Sequence, residues 1–204
     1  MKAKRIKTRN LEESRKVILQ VAFIEVLSKG FQGVSIDDIV KKSPYTKGAF
    51  YHHFPTKLDL GYALVEDVIS PMIIERWIEP LKKYSNPIEG ILTQLQLLIG
   101  DVDLKMLRLG CPLNNLVQEM SPVDHGFKVR LEKALMLWVD QMDLQLQRGK
   151  KNGFIKKDIK TQTAAYFIVM AHEGFYGTIK GINEKAVYEA LLTSLKIYMK
   201  AISS

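Results

Sequence analysis

All seven prolines of this chain lie between residues 44 and 122. Nothing after residue 122 is barred from long, unbroken helices, because proline is the residue that removes a backbone donor and clashes with the preceding turn. Helix-start signals recur along the whole length. Asn10, Ser35 and Thr56 each stand three residues before an acid (Glu13, Asp38, Asp59), close to the capping-box pattern. Asn86-Pro87 and Ser121-Pro122 add proline at the first helical position, with Glu89 and Asp124 following. Asn183 opens the last segment. Stop signals follow at Gly30 and Gly33, Gly149 and Gly153, and Gly181. Between them the apolar period is near 3.6: Ile18, Ala22 and Val26 form one stripe, and Val187, Leu191, Leu195 and Tyr198 another. No alternating strand pattern or Asn-Gly hairpin signal competes. The sequence therefore predicts an all-α protein of about nine helices, at 11–29, 35–42, 46–52, 57–79 with a bend at Pro71, 86–106, 113–119, 122–149, 158–180 and 183–202.

The first three helices are close-set and two are very short, so they depend on tertiary support. The later ones are two to three times longer. The architecture changes near residues 57–80, with helix 57–79 bridging the parts. Charge changes there as well. Residues 1–60 carry twelve Lys/Arg against six Asp/Glu, and the remaining 144 residues carry eighteen against sixteen. Most of the net +8 thus sits in the first part of the chain, an asymmetry that points to nucleic acid or an anionic surface. No apolar run reaches membrane-spanning length, and the basic start lacks the apolar core of a signal peptide. The single cysteine, Cys111, excludes an intramolecular disulfide and a cysteine-rich metal site. The expectation is a soluble protein of the reducing cytoplasm, with no cofactor.

Helices 35–42 and 46–52, joined at Ser43-Pro44-Tyr45, have helix-turn-helix spacing. On the second, Phe50 and Phe54 share the inward stripe. Tyr45, Gly48 and His52 point away from it, with Ala49 beside them and Lys47 and Tyr51 on the flank. Glycine costs a helix about 1 kcal/mol relative to alanine, so Gly48 in a seven-residue helix requires a reason. Two remain open at this level: close packing against another helix, or close approach of another molecule. A recognition helix enters the major groove with its N-terminal residues facing base edges. Gly48 and Ala49 would then admit the backbone, while Thr46, Lys47, Tyr51 and His52 offer donors. The adjacent histidines are splayed about 100° apart, so they do not make a metal site.

Residues 11–60 resemble the DNA-binding domain of TetR-family transcriptional regulators. The resemblance rests on Gly33-Val34-Ser35, Ile39-Val40 and the run from Thr46 through Lys47-Gly48-Ala49-Phe50-Tyr51-His52-His53-Phe54 to Thr56-Lys57 and Leu60. It implies that Thr46, Lys47, Tyr51 and His52 contact phosphates or bases, and that Ser35 and Lys57 grip the backbone at helix starts. The chain departs from the family at Ser43-Pro44-Tyr45, where Ala-Gly-Val is usual. Proline cannot adopt the positive φ open to glycine, so a local difference in the turn is expected there, and Tyr45 becomes a further candidate reader of DNA. The domains implied are a flexible basic arm (1–9), a helix-turn-helix domain (10–56), and a ligand-binding and dimerisation domain (57–204).

For that larger half, small residues interleaved with large apolar ones mark a helix-pair interface: Ala164, Phe167, Ile168, Ala171, Gly174 and Phe175, then Ala190, Leu191, Ser194, Leu195 and Tyr198. Two helices from each subunit would make a four-helix bundle, as the last two helices do in the resembled family; burial in the monomer core is the alternative. The family also uses this half to bind a small-molecule inducer. Candidates for such a pocket are Cys111, Asn115, Trp138, Met142, Tyr166, Met170, His172 and Tyr176, soft or polar groups among apolar neighbours. The stretch around Cys111, GCPLNNLVQEMSP, resembles one in regulators some of which sense electrophiles through a cysteine. The thiol is either such a sensor or a buried, inert one.

No phosphate loop, His-Glu-x-x-His helix or nucleophile elbow is present, so no catalytic residue is assigned and an enzyme is not expected. The sequence predicts a homodimeric regulator that binds a pseudo-palindromic double-stranded operator and is released by an inducer, with no membrane partner. The rival is a helical module that binds a small molecule or protein without specific DNA binding.

Overall fold

The computed structural model describes residues 2–101, 108–182 and 184–204, with side chains described at all of these except 2–10, 98–101 and 185. Helix α1 spans Lys2–Lys29. It starts well before the expected residue 11 because residues 2–10 hold no glycine or proline and are rich in helix-favouring lysine and arginine; the segment expected as an arm is helical in its backbone. Gly30, at φ 79°, ends it, and its N–H returns to the Val26 carbonyl at 2.8 Å.

Helix α2 (Ile36–Lys42) begins at a complete Ser35/Asp38 capping box. Helix α3 (Lys47–His53) begins at Thr46, whose hydroxyl accepts from the Ala49 N–H at 3.3 Å. A third cap, the Thr56/Asp59 box, opens Lys57–Ala63. That helix continues without a break through Leu64–Ile69, Ser70–Ile73 and Ile74–Ile78 and closes as a 3₁₀ turn at Glu79–Lys83; the whole run is α4. Its segments on either side of Pro71 are wound as π-helix. Proline has no N–H and crowds the carbonyl four residues back, and wider turns relieve both. The Ser70 hydroxyl takes up the Val65 carbonyl at 2.8 Å.

The remaining helices are α5 (Pro87–Asp101), α6 (Pro112–Met120), α7 (His125–Lys151), α8 (Thr161–Ile179) and α9 (Lys185–Ile202). The expected continuation of α5 over 102–106 and the expected start at 183 lie outside the described residues. An isolated bridge between Ile155 and Ser203 is the only β-type pairing among the described residues. No described helix is long and apolar enough to cross a membrane.

The head is held by Ile18, Leu19 and Ala22 of α1 against Phe31, Val34, Ile39, Phe50 and Phe54, all buried. This core runs on into the body through α4, where Leu60 and Leu64 are buried. Phe127 of α7 packs edge-on against Phe31, ring centroids 4.8 Å apart. A side chain at Gly61 would fall 2.4 Å from the Phe127 ring, so glycine is what allows α4 and α7 to meet. Buried Glu25 takes Lys42 and Lys29 as partners, and those two cations hold its carboxyl below the usual carboxylate range.

Candidate nucleic-acid interface and a cavity in the body

Helix α3 divides as its periodicity requires. Phe50 and Phe54 are 1% and 2% exposed, whereas Tyr51 is 44% exposed. Thr46, Lys47, Gly48 and His52 lie open with Tyr51, and Ala49 is half-buried. A Cβ built on Gly48 would meet only the Thr46 hydroxyl, at 3.8 Å. No neighbouring helix of the chain requires glycine there, unlike at Gly61. Lys47 leans on Asp37 at 2.7 Å, and that carboxylate raises its affinity for the proton.

The other candidates at this face are partly committed to the fold. Ser35 uses its hydroxyl in the α2 cap, donating to Asp38 at 2.6 Å. Lys57 stands over the Phe31 ring at 4.7 Å and donates to the Gln32 carbonyl at 3.4 Å. Its partial burial lowers its pKa. Tyr45 is half-buried, packed against the core. The Ser43-Pro44-Tyr45 turn is built without any left-handed residue. Ser43 is extended (φ −97°, ψ 156°), its N–H caps the Ile39 and Val40 carbonyls, and its hydroxyl accepts from the Tyr45 N–H at 3.3 Å. Among the described residues no non-glycine has positive φ, so Pro44 fits without strain.

His53, the neighbour sequence reasoning passed over, is structural. It pairs with buried Ser14 at 2.7 Å. Ser14 donates its own proton to the Leu11 carbonyl, so His53 Nε2 is the donor. Its place three residues after Phe50, on the inward stripe, was the available signal. Burial, then the nearby His52 and Arg15, lowers its pKa.

In the body, a cavity of about 130 Å³ is lined by Phe23 and Leu27 of α1, Met72, Ile73, Arg76 and Trp77 of α4, Cys111, Trp138, His172 and Tyr176, among others. Four of the eight sequence-selected pocket residues therefore converge on it: Cys111, Trp138, His172 and Tyr176. Met142 lines an adjoining void of about 20 Å³ that shares Trp77, Trp138 and His172. Asn115 lies on an open cleft between α1 and α6 instead, donating to the Leu109 carbonyl at 2.8 Å. Tyr166 and Met170 do not belong to the cavity; they are 37% and 61% exposed on the outer side of α8, because they sit on the opposite face from His172. Burial first, and then Glu173, pushes the Cys111 thiol well above its ordinary range, which disfavours the nucleophilic thiolate. Burial also raises Tyr176 to about 12. Among the described residues no three His, Cys, Asp or Glu side chains gather as a metal site.

Helix α6 connects the two regions. Cys111 at its start borders the cavity. Glu119 near its end accepts hydrogen bonds from the Phe31 and Gln32 N–H groups of the α1–α2 loop, both at 2.8 Å. Nothing in the local sequence singled out Glu119 for this.

The proposed interface list also divides. Ala164, Ile168 and Leu195 are buried within the chain itself, so their side chains belong to the monomer core. Gly174, Ala190 and Ser194 are exposed, Phe167 is 42% exposed, and Ala171, Phe175, Leu191 and Tyr198 are half-buried. Met170 and Ile197, the latter 66% exposed, extend this apolar face. Small residues and uncovered apolar side chains thus share the outer side of α8 and α9.

Two family models match the chain. One, described as bacterial regulatory proteins of the tetR family, covers residues 18–64; the other, a tetracyclin repressor-like C-terminal domain, covers residues 92–195, about half the chain. The transcriptional repressor DhaR of Mycobacterium sp. (strain GP1) is 24% identical over 82% of this chain and 87% of its own length. An uncharacterised HTH-type regulator from the lacX 3' region of Lactococcus lactis is 28% identical over 61% of this chain, a match that spans 63% of that relative. In fold, a TetR-family regulator from Cytophaga hutchinsonii superposes with a TM-score of 0.85 at 18% identity, covering 95% of this chain and 96% of its own.

Proposed function

The chain belongs to the tetR family of bacterial regulatory proteins and is a DNA-binding transcriptional regulator, and from that premise we propose that it is a homodimeric repressor released from its operator by a small molecule. The observation that carries the DNA-reading assignment is Gly48. It stands exposed on a helix whose other face is fully buried, has free space above it, and is flanked by Thr46, Lys47, Tyr51 and His52. A fold gains nothing from glycine there, whereas a helix seated in a major groove does. In this reading Ser35 and Lys57 present the starts of α2 and α4 to phosphates while holding the loops.

One head makes few contacts, and two-fold pairing through the apolar outer side of α8 and α9 would give two heads for two half-sites about one helical turn apart. Release is supported by connectivity. Phe23 and Leu27 of α1 wall the cavity directly, and α6 joins the cavity to the head through Glu119. A ligand that fits best with these elements displaced would favour a head spacing unsuited to the operator. The protein would act in the cytoplasm, where its operator lies.

The test is fluorescence anisotropy with duplexes tiling the DNA upstream of the protein's own gene, against a scrambled duplex, at two salt concentrations. One pseudo-palindromic tile should bind about 10³-fold or more above the scramble, and a folded Tyr51→Ala/His52→Ala variant should lose that preference. Equal, strongly salt-dependent binding to every duplex, indifferent to the substitutions, would reduce the head to a nonspecific basic patch.

A further inference from the structure

Resting on the reading that the body binds a small molecule, we propose that the cavity takes a compact aromatic molecule carrying a neutral hydroxyl, a phenol, with His172 and Trp138 as its polar partners. Size and shape set the first limit. A cavity of about 150 Å³ holds benzene, and this one, slightly smaller at about 130 Å³, limits an occupant to a single small ring. Its wall is aromatic. Trp77 and Trp138 stack with centroids 5.8 Å apart, and His172 stands edge-on to both, at 4.3 and 4.8 Å. Tyr176 lies 4.6 Å from His172 on the other side. Ring faces and edges arranged in this way suit another ring.

Polarity sets the second limit. Trp138 and His172 are 2% and 4% exposed, and the indole Nε1 of one and the imidazole Nε2 of the other have no hydrogen-bond partner among the described residues. Unpartnered buried polar groups are uncommon and call for a reason. The indole is a donor only. The imidazole is oriented by Glu173, whose carboxylate lies 2.9 Å from Nδ1. With Nδ1–H donating to Glu173, Nε2 holds a lone pair and accepts. Trp138 and His172, which line both the cavity and the adjoining small void, thus hold one unused donor and one unused acceptor between them. A hydroxyl offers the matching acceptor and donor, and a hydrocarbon ring offers neither. A carboxylate offers acceptors alone and would bring its charge close to Glu173. Among the described residues the one cation on the cavity wall, Arg76, is exposed, which makes an aromatic acid the chief competitor.

Trp77 and Trp138 are the chain's two tryptophans, so intrinsic fluorescence reports on this cavity directly. The purified protein would be titrated with phenol, toluene, cyclohexanol and benzoate. Phenol is expected to quench the tryptophans and to bind at least tenfold more tightly than each of the others, tenfold being about 1.4 kcal/mol. His172→Phe keeps an aromatic ring but removes the acceptor, and should bring phenol and toluene to within about twofold while toluene still binds. Trp138→Phe should lower the phenol preference in part, read by the remaining tryptophan and by thermal shift. Phenol binding no tighter than toluene, benzoate binding more tightly than phenol, or a phenol preference that survives His172→Phe would each overturn the proposal. Operator release is measured separately on the same samples. Phenol that binds as described but leaves the DNA complex intact refutes ligand-relieved repression and leaves the cavity assignment standing; release by an unrelated compound without phenol binding does the reverse.

Discussion

Replacing Gly48 with alanine separates folding from DNA reading, because the two respond in opposite directions. Within the protein the added methyl finds only the Thr46 hydroxyl, at 3.8 Å, an ordinary van der Waals contact. Nothing is overpacked. Alanine is favoured over glycine in a helix by about 1 kcal/mol, less near an end, and it also restricts the unfolded chain. The expected gain is ~0.5–1 kcal/mol, which for a chain of this size raises Tm by about 1–4 °C. In the proposed complex with DNA the same methyl would have to fit between the backbone of α3 and a groove floor. Inserting a methyl into a well-packed contact costs ~1–3 kcal/mol, so operator affinity should fall by roughly five- to 150-fold. Urea denaturation and anisotropy on the same Gly48→Ala preparation give both numbers. A variant that is more stable and binds its operator as tightly as the wild type would refute the assignment of this face to DNA. A destabilised variant would refute the view that space above Gly48 is free.

Glu119→Ala strips the acceptor from the buried Phe31 N–H and the exposed Gln32 N–H. The dry donor dominates, so a loss of ~2 kcal/mol is expected, seen as a Tm lower by about 4–8 °C; Glu119→Gln, which keeps one acceptor oxygen, should lose about half. Burial places the folded pKa of His53 below its ordinary value of 6.5. Its contribution is therefore complete above that value and is lost as pH falls below it, since the unfolded chain then binds the proton more readily. Urea midpoints at pH 7.5 and 5.5 should differ more in the wild type than in His53→Gln. Cys111, buried with a raised pKa, should resist N-ethylmaleimide at neutral pH in the folded protein and react promptly in urea. Fast alkylation of the native state would return it to the class of sensor thiols.

Local chemistry determined much of this protein before any packing was known. The capping signals at Ser35 and Thr56 and the four-residue spacing of Phe50 and Phe54 place two short helices and their buried face without reference to the rest of the chain. That is why the exposed face of α3 was legible: it depends on positions a few residues apart, which helical geometry fixes by itself. The cavity is different. Phe23, Trp77, Cys111, Trp138 and His172 come from five separate stretches of sequence, and only the crossing of α1, α4, α6, α7 and α8 brings them to one wall. Periodicity told that α8 has an apolar face and a small-residue face, but not which neighbour each would meet. Periodicity alone thus points Tyr166 and Met170 toward a pocket, whereas they are exposed on the outer side of α8, and Ala164, Ile168 and Leu195 toward an interface, whereas they pack inside the chain. The hold of Glu119 on the α1–α2 loop spans nearly ninety residues and has no local signature. Capping and helical phase act over one or two turns, whereas burial is settled by whichever distant helix covers a face, and that only the tertiary structure decides.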